Sequence, residues 1–261
     1  MANTKSLDGR VVIVTGGGRG IGAGISRVLG DAGAHVVIFH PQNIKFDEVA
    51  HAKKVIAEIL AQGGHASALL VDVSDREQIL VAVKKVFADY GHIDGLVNNA
   101  GICDFADFFD ITPENWAKHI AVNLSGPFFL AQAVARHMKD QGKGSIVNIS
   151  TVSSFRAGDQ QVHYISSKGG VNSLTTSMAH ELRDLNIRVN AILTGGVATD
   201  INLDKRKAEE KRTGKPFKEG PGVRRLGLPE DLGHAVRYLL SDESEWVTGI
   251  LMSVDGGAMR S

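Results

Sequence analysis

Val11-Val12-Ile13-Val14-Thr15-Gly16-Gly17-Gly18-Arg19-Gly20-Ile21-Gly22 joins a β-branched run to a cluster of glycines, and Ala23 to Leu29 continues in a helical pattern. Val11 to Val14 has the character of a strand covered on both faces, because strands of a parallel sheet read as continuous apolar runs rather than as alternation. The glycines permit a tight turn with positive φ and a close backbone approach to a ligand. They also present a helix N-terminus, with its unpaired N–H groups and positive dipole end, to a phosphate. Glycines alone could form an ordinary strand-to-helix loop. Here a second strand, His35 to Phe39, completes a βαβ unit of about thirty residues, the setting in which such a loop binds a dinucleotide.

Outward from this unit the alternation continues. A helix is expected from about Phe46 to Gln62, then a strand Ala66 to Val71 ending in Asp72-Val73. Asp72, at a strand's C-terminal end, could accept a hydrogen bond from an adenine amino group or cap the helix that begins near Asp75. Ile93 to Val97 is a fourth strand leading into Asn98-Asn99-Ala100-Gly101, two amides and two small residues at a turn. Thr112 to Asp140 reads as a long helix with Pro113 in its first turn. Asn123, a mediocre helix former close to Gly126-Pro127, predicts a local departure within it. Gly144 to Ile149 is a fifth strand followed by the hydroxyl cluster Ser150-Thr151-Val152-Ser153-Ser154, and Ile187 to Leu193 a sixth, running into Thr194-Gly195-Gly196-Val197-Ala198-Thr199. A helix Pro229 to Leu240 and a strand Gly249 to Val254 close the chain. With no linker, repeat or break in composition, residues 1–261 form one α/β domain around a doubly wound parallel sheet.

Tyr164 and Lys168 open an apolar-periodic segment running to about His180, and their spacing of four stacks both on one helix face a turn apart. A nearby ammonium favours phenolate, so the pair has the makings of a general acid/base. Taken alone, Tyr-x-x-x-Lys also recurs by chance in helices.

Composition limits what else the chain could be. Forty-three per cent apolar and 22% charged content describe a globular chain able to bury a large core, and 29 basic against 29 acidic residues leave no net charge for a nucleic-acid or membrane surface. No apolar run reaches the roughly 18 residues of a membrane span, and Met1 to Arg10 is polar, so a cytoplasmic location is expected. The single Cys103 agrees with a reducing compartment, is most simply a buried thiol, and cannot build a multi-cysteine metal site; no metal is expected.

Thr15-Gly16-x-x-x-Gly20-x-Gly22, Asp72, Asn98-Asn99-Ala100-Gly101, Asn123, Thr151 and Tyr164-x-x-x-Lys168 stand in the order and approximate spacing of the short-chain dehydrogenases/reductases, which the chain resembles over essentially its whole length. The resemblance implies a Rossmann sheet of about seven strands and a nicotinamide cofactor. It assigns Tyr164 as acid/base, Lys168 to the nicotinamide ribose and to lowering the Tyr164 pKa, and Asn123 to a water linking Lys168 to solvent. Gly16, Arg19, Gly20, Ile21, Gly22, Asp72, Val73, Asn99, Ala100 and Gly101 would line the dinucleotide, with Val197 and Thr199 at the carboxamide.

Thr151, thirteen residues before Tyr164, occupies the place where the family usually has a serine that polarises the substrate oxygen. Threonine keeps the hydroxyl with a stiffer χ1, and Ser153, two along on the same strand face, is the rival. Thr194 replaces a usual proline, which predicts a less rigid loop. The charged, glycine-bounded segment 200–222 suits either a substrate lid or a solvated helix. The resemblance further implies a small-molecule substrate and a homo-oligomer, a tetramer, in which Phe128, Phe129 and Leu130 are partly interface candidates.

Within the family, Asn99 to Cys103, Ile111 to Glu114 and Gln161 to Tyr164 look like L-rhamnose and related aldose 1-dehydrogenases, and the polar Arg156, Asp159, Gln160 and Gln161 suit a polyhydroxylated ligand. The alternatives are a 3-oxoacyl-thioester or other small-ketone reductase, and a non-catalytic cofactor-binding regulator, which would have no use for Asn123, Tyr164 and Lys168 together.

Cofactor choice turns on the end of the second strand. NAD-specific enzymes commonly place an acid there, about twenty residues beyond the glycines, that binds both ribose hydroxyls and repels a 2′-phosphate. Here that position falls at His40, and no acid appears until Asp47. Arg19 can bind a phosphate through charge-assisted hydrogen bonds, or be a plain exposed loop arginine. NADP is therefore the expected preference, with NAD usable.

Overall fold

The computed structural model describes residues 5–42, 47–199, 211, 214 and 225–260. Its strands are β1 (Val11–Thr15), β2 (His35–His40), β3 (His65–Leu70), β4 (Gly95–Asn98), β5 (Gly144–Thr151), β6 (Ile187–Thr194) and β7 (Leu251–Val254). They form one sheet of order β3-β2-β1-β4-β5-β6-β7, parallel throughout. The order reverses between β1 and β4. Connections leaving the two strands diverge there, and the crevice at their C-terminal ends is where a doubly wound sheet binds its ligand.

Among the described residues the helices with full bounds are α1 (Gly20–Asp31), α2 (Glu48–Ala61), α3 (Arg76–Tyr90), α4 (Pro113–Ile120), α5 (Gly126–Gln141), the short α6 (Ser153–Arg156), α7 (Val162–Leu182) and α8 (Pro229–Leu240). They cover both sheet faces, which explains the unbroken apolar strands. In β1, Val12 and Val14 face a core built with Ile25, Leu29, Ile59 and Leu239, whereas Val11 and Ile13 face Ile79, Val83, Leu130 and Met138 on the other side. Each side chain so buried contributes about 1.5–3 kcal/mol.

Several boundaries move, for local reasons. α1 begins inside the glycine cluster, at Gly20. Asp75 caps α3, accepting from the N–H groups of Glu77 and Gln78, so Asp72 is not the cap. The expected departure at Asn123 is a π-turn, Ala121–Ser125, between α4 and α5. Pro127 has no N–H for the carbonyl of Asn123 four residues back, and the Gly126 N–H reaches five back to Ala121 instead. β5 runs on to Thr151, and Ser153 opens α6; Ser153 thus lies in a helix, not two along on the strand face.

Thr194, in the place of the usual proline, is tied to both neighbouring strands. It is the last residue of β6, its hydroxyl donates to the Ser150 carbonyl at 3.0 Å, and the next N–H, of Gly195, donates to Val254. Of the 200–222 segment only Lys211 and Gly214 are described, so the lid expectation lies outside the described residues. Among the described residues no helix is long and apolar enough to cross a membrane.

Candidate active site

The glycine loop is pinned to the end of β4. Thr15 Oγ1 accepts from the N–H groups of Asn99 and Ala100 at 3.0 and 2.9 Å and donates to the Val97 carbonyl. The Asn99 amide in turn donates to the carbonyls of Thr15 and Gly16. Two glycines are obligatory here. Gly16 has φ +63°, and a Cβ on Gly22 would stand 2.0 Å from the Gly16 carbonyl oxygen. The loop so closed presents the N-terminus of α1 to a cleft of about 430 Å³. A bare helix N-terminus behind a turn that only glycine can make fits the pyrophosphate of a dinucleotide.

Gly16, Arg19, Gly20, Ile21, Gly22, Asp72, Val73, Asn99, Ala100, Gly101 and Thr199 all line this cleft. Four of the expected cofactor residues, His40, Tyr164, Lys168 and Val197, do not. His40 is buried with its Nδ1 against the Pro41 carbonyl, because the chain bends after β2 and leaves Pro41 and Gln42 facing the cleft. Val197 is buried at a bridge to Gly227 and lines a neighbouring pocket. The cleft also takes in Phe39, Glu48, Ile102, Lys118 and Val122, which the sequence did not single out. Asp72 Oδ1 is held by the backbone N–H and hydroxyl of Ser74.

At the other end, β5 and α7 bring the reactive groups together. Lys168 is buried, and its Nζ donates to the Ile149 carbonyl at 2.8 Å. A Cβ on Gly101 would lie 3.3 Å from Asn123 Oδ1 and 3.5 Å from Lys168 Nζ, so these three meet. Asn123 is fully buried: its Oδ1 accepts from the Ile102 N–H, and its amide donates to the Ile102 carbonyl and to Ser167 Oγ. The π-turn turns this side chain toward α7. The Thr151 hydroxyl lies beside the Tyr164 phenol and accepts from the Ser153 N–H. Thr151, not Ser153, supplies the hydroxyl beside the tyrosine.

Electrostatics there differ from the expectation that Lys168 lowers the tyrosine. Burial raises the Tyr164 pKa above the ordinary phenol value, proximity to Cys103 adds to the rise, and the Thr151 hydrogen bond pulls the other way. Lys168 is itself pushed down to about 8 by burial, against a smaller opposing pull from Cys103. Desolvation disfavours both charged forms. Cys103 is half-exposed rather than buried, and its Sγ accepts from the Gln161 amide at 3.0 Å. Further polar groups lie nearby in the chain: Gln160 donates to Asp107 at 2.7 Å, and Arg156 to the Ala258 carbonyl.

Residues 16–259 match the family model described as Enoyl-(Acyl carrier protein) reductase. The L-rhamnose 1-dehydrogenase (NAD(P)(+)) of Azotobacter vinelandii is 41% identical over 250 residues, covering 95% of this chain and 96% of that protein. Versicolorin reductase 1 of Aspergillus parasiticus is 35% identical over 269 residues and the whole of both chains. A Beutenbergia cavernae protein solved with NADP bound at low occupancy superposes with a TM-score of 0.89 at 32% identity, covering 99% of this chain and all of that one.

Proposed function

Because the chain belongs to the short-chain dehydrogenase/reductase family, and is an oxidoreductase, we propose that it oxidises an aldose of the L-rhamnose type at C1, with NADP as the preferred nicotinamide cofactor and NAD usable. One observation carries the chemistry: the Thr151 hydroxyl lies beside the Tyr164 phenol, and Lys168 and Asn123 meet next to Gly101, which lines a dinucleotide-sized cleft. The sugar specificity rests on the Azotobacter relative and on the polar set Gln161, Gln160 and Arg156 before Tyr164.

The residues of this chain divide the work. Gly16 to Gly22 and the N-terminus of α1 hold the pyrophosphate, Asp72 and Val73 the adenine, and Lys168 the nicotinamide ribose. Thr199 meets the carboxamide. The oxidised nicotinamide, when bound, accepts the hydride. Thr151 donates to the anomeric oxygen, and Tyr164 takes its proton. Asn123 positions a water that connects Lys168 with solvent. A raised phenol pKa opposes ionisation, which makes the Thr151 hydrogen bond a working part of the site.

The same reading takes the protein as a cytoplasmic homotetramer. It draws on the lone cysteine and the exposed Phe128 of α5; Leu130 is buried, and Phe129 packs on the core beneath the Arg76 guanidinium. A second reading, a carbonyl or ketoacyl-thioester reductase, is favoured by the match to versicolorin reductase 1. A panel of aldoses, polyols and ketoacyl thioesters, followed by nicotinamide absorbance with both cofactors, separates the two. L-rhamnose oxidation is the expected result. Turnover of thioesters with no aldose oxidised would hand the site to the second reading.

A further inference from the structure

Glu48 is 5% exposed, which a carboxylate tolerates only when paired. Its Oε1 accepts from Arg19 Nε at 2.8 Å, and both residues line the cleft beside Phe39, Pro41 and Gln42, at the end of β2. Arg19 is the cation the sequence offers to a 2′-phosphate; in the folded protein it lies against a buried anion. The contact is built into the backbone. α2 starts at Glu48 behind the cap Asp47, and Gly18 lets this turn close on the glycine loop: a Cβ there would stand 3.0 Å from the Ala52 nitrogen and 3.1 Å from its Cα. Glu48 also stands in the first turn of α2, at the positive end of the helix dipole, where a negative charge is favoured. On the far side of the loop Arg27 is already matched by Glu58 and Glu230, at 2.8 and 3.6 Å.

We propose that Glu48 is a specificity-determining residue, which competes with a 2′-phosphate for Arg19 and so keeps NAD usable beside NADP. The acid missing from the end of β2 is supplied from the start of α2. A like charge placed against the phosphate lowers affinity for NADP alone, since NAD brings no charge to that point. This inference rests on the dehydrogenase reading above, as a refinement of its cofactor site.

The test is direct binding, by calorimetry on the purified protein without sugar, of NADP and NAD to wild type, Glu48→Gln, Arg19→Ala and the double variant. Glu48→Gln should raise the ratio of NADP to NAD affinity by about tenfold, through NADP. In the Arg19→Ala background the same change should move the ratio much less. An unmoved ratio, or weaker NADP binding because Glu48 orients Arg19 for the phosphate, overturns the proposal. If Glu48→Gln does not fold, Glu48→Asp, which keeps the charge but draws it back by one methylene, should shift the ratio in the same direction by less, and no shift overturns it. Wild-type protein that bound neither dinucleotide would refute the dehydrogenase reading itself, whereas binding of both with a fixed ratio refutes only the role of Glu48.

Discussion

At the catalytic end of the cleft, Tyr164, Ser167 and Lys168 come from one helix and Ile149 and Thr151 from the end of the strand beside it; at the adenosine end, Arg19 and Glu48 come from different βα units. The first group is spaced by the repeat of α7 and the register of β5. The second pair meets because α2 packs on the glycine loop across Gly18. The candidate catalytic groups are therefore spaced by two elements and joined across them, with Asn123 brought in by the π-turn. Selectivity sits where tertiary packing decides which charges face each other.

Substitutions can break or sharpen this contrast. The largest effect belongs to Tyr164→Phe, which should lower turnover by about two orders of magnitude while leaving dinucleotide affinity nearly intact, as steady-state kinetics and direct binding would show. Near-normal turnover would remove the catalytic role from this end. Next, Thr151→Val should cost about tenfold to a hundredfold in turnover and raise the phenol pKa further in an ultraviolet titration, with Ser153→Ala close to wild type. The reverse order would mean that the hydroxyl of α6, not that of β5, meets the substrate.

At the adenosine end, Arg19→Ala should lower kcat/KM with NADP by about tenfold and leave NAD nearly unchanged. Equal losses with both cofactors would make Arg19 a structural residue of the loop. The smallest effect is on stability. Burial pushes Lys168 down to about 8 when folded, against an ordinary 10.5 when unfolded, so between those values the unfolded chain binds more protons and stability rises with pH. The penalty of a buried ammonium is complete below pH 8 and relieved by pH 10.5. Lys168→Met should thus melt a few degrees above wild type at pH 7, an advantage that shrinks as pH approaches 10.5 in thermal melts. A constant difference across that range would place the Lys168 ammonium in a well-solvated site.

Much of the site was legible because its parts lie at ends of elements. Glycines before α1, amides after β4 and hydroxyls after β5 are marked by composition, and the Tyr164–Lys168 spacing by periodicity. What was misplaced depended on where an element stops or turns. His40 counts correctly to the end of β2, yet its ring is buried, while Pro41 and Gln42 face the cleft. Ser153 was read on a strand that ends two residues earlier. Cys103 was taken as buried, because a small apolar thiol usually is, and stands instead beside Gln161 near the reactive pair.

By itself the sequence determined the parallel α/β class and the alternation of strands and helices, and it supplied the candidate residues of the site. Those depend on the period of apolar residues and on backbone freedom, both local along the chain. Only the tertiary structure decided the charge balance around Arg19, the upward direction of the Tyr164 pKa and the turn of Asn123 toward α7. Burial and pairing across elements are set by how the helices close on the sheet, and no spacing along the chain records that distance.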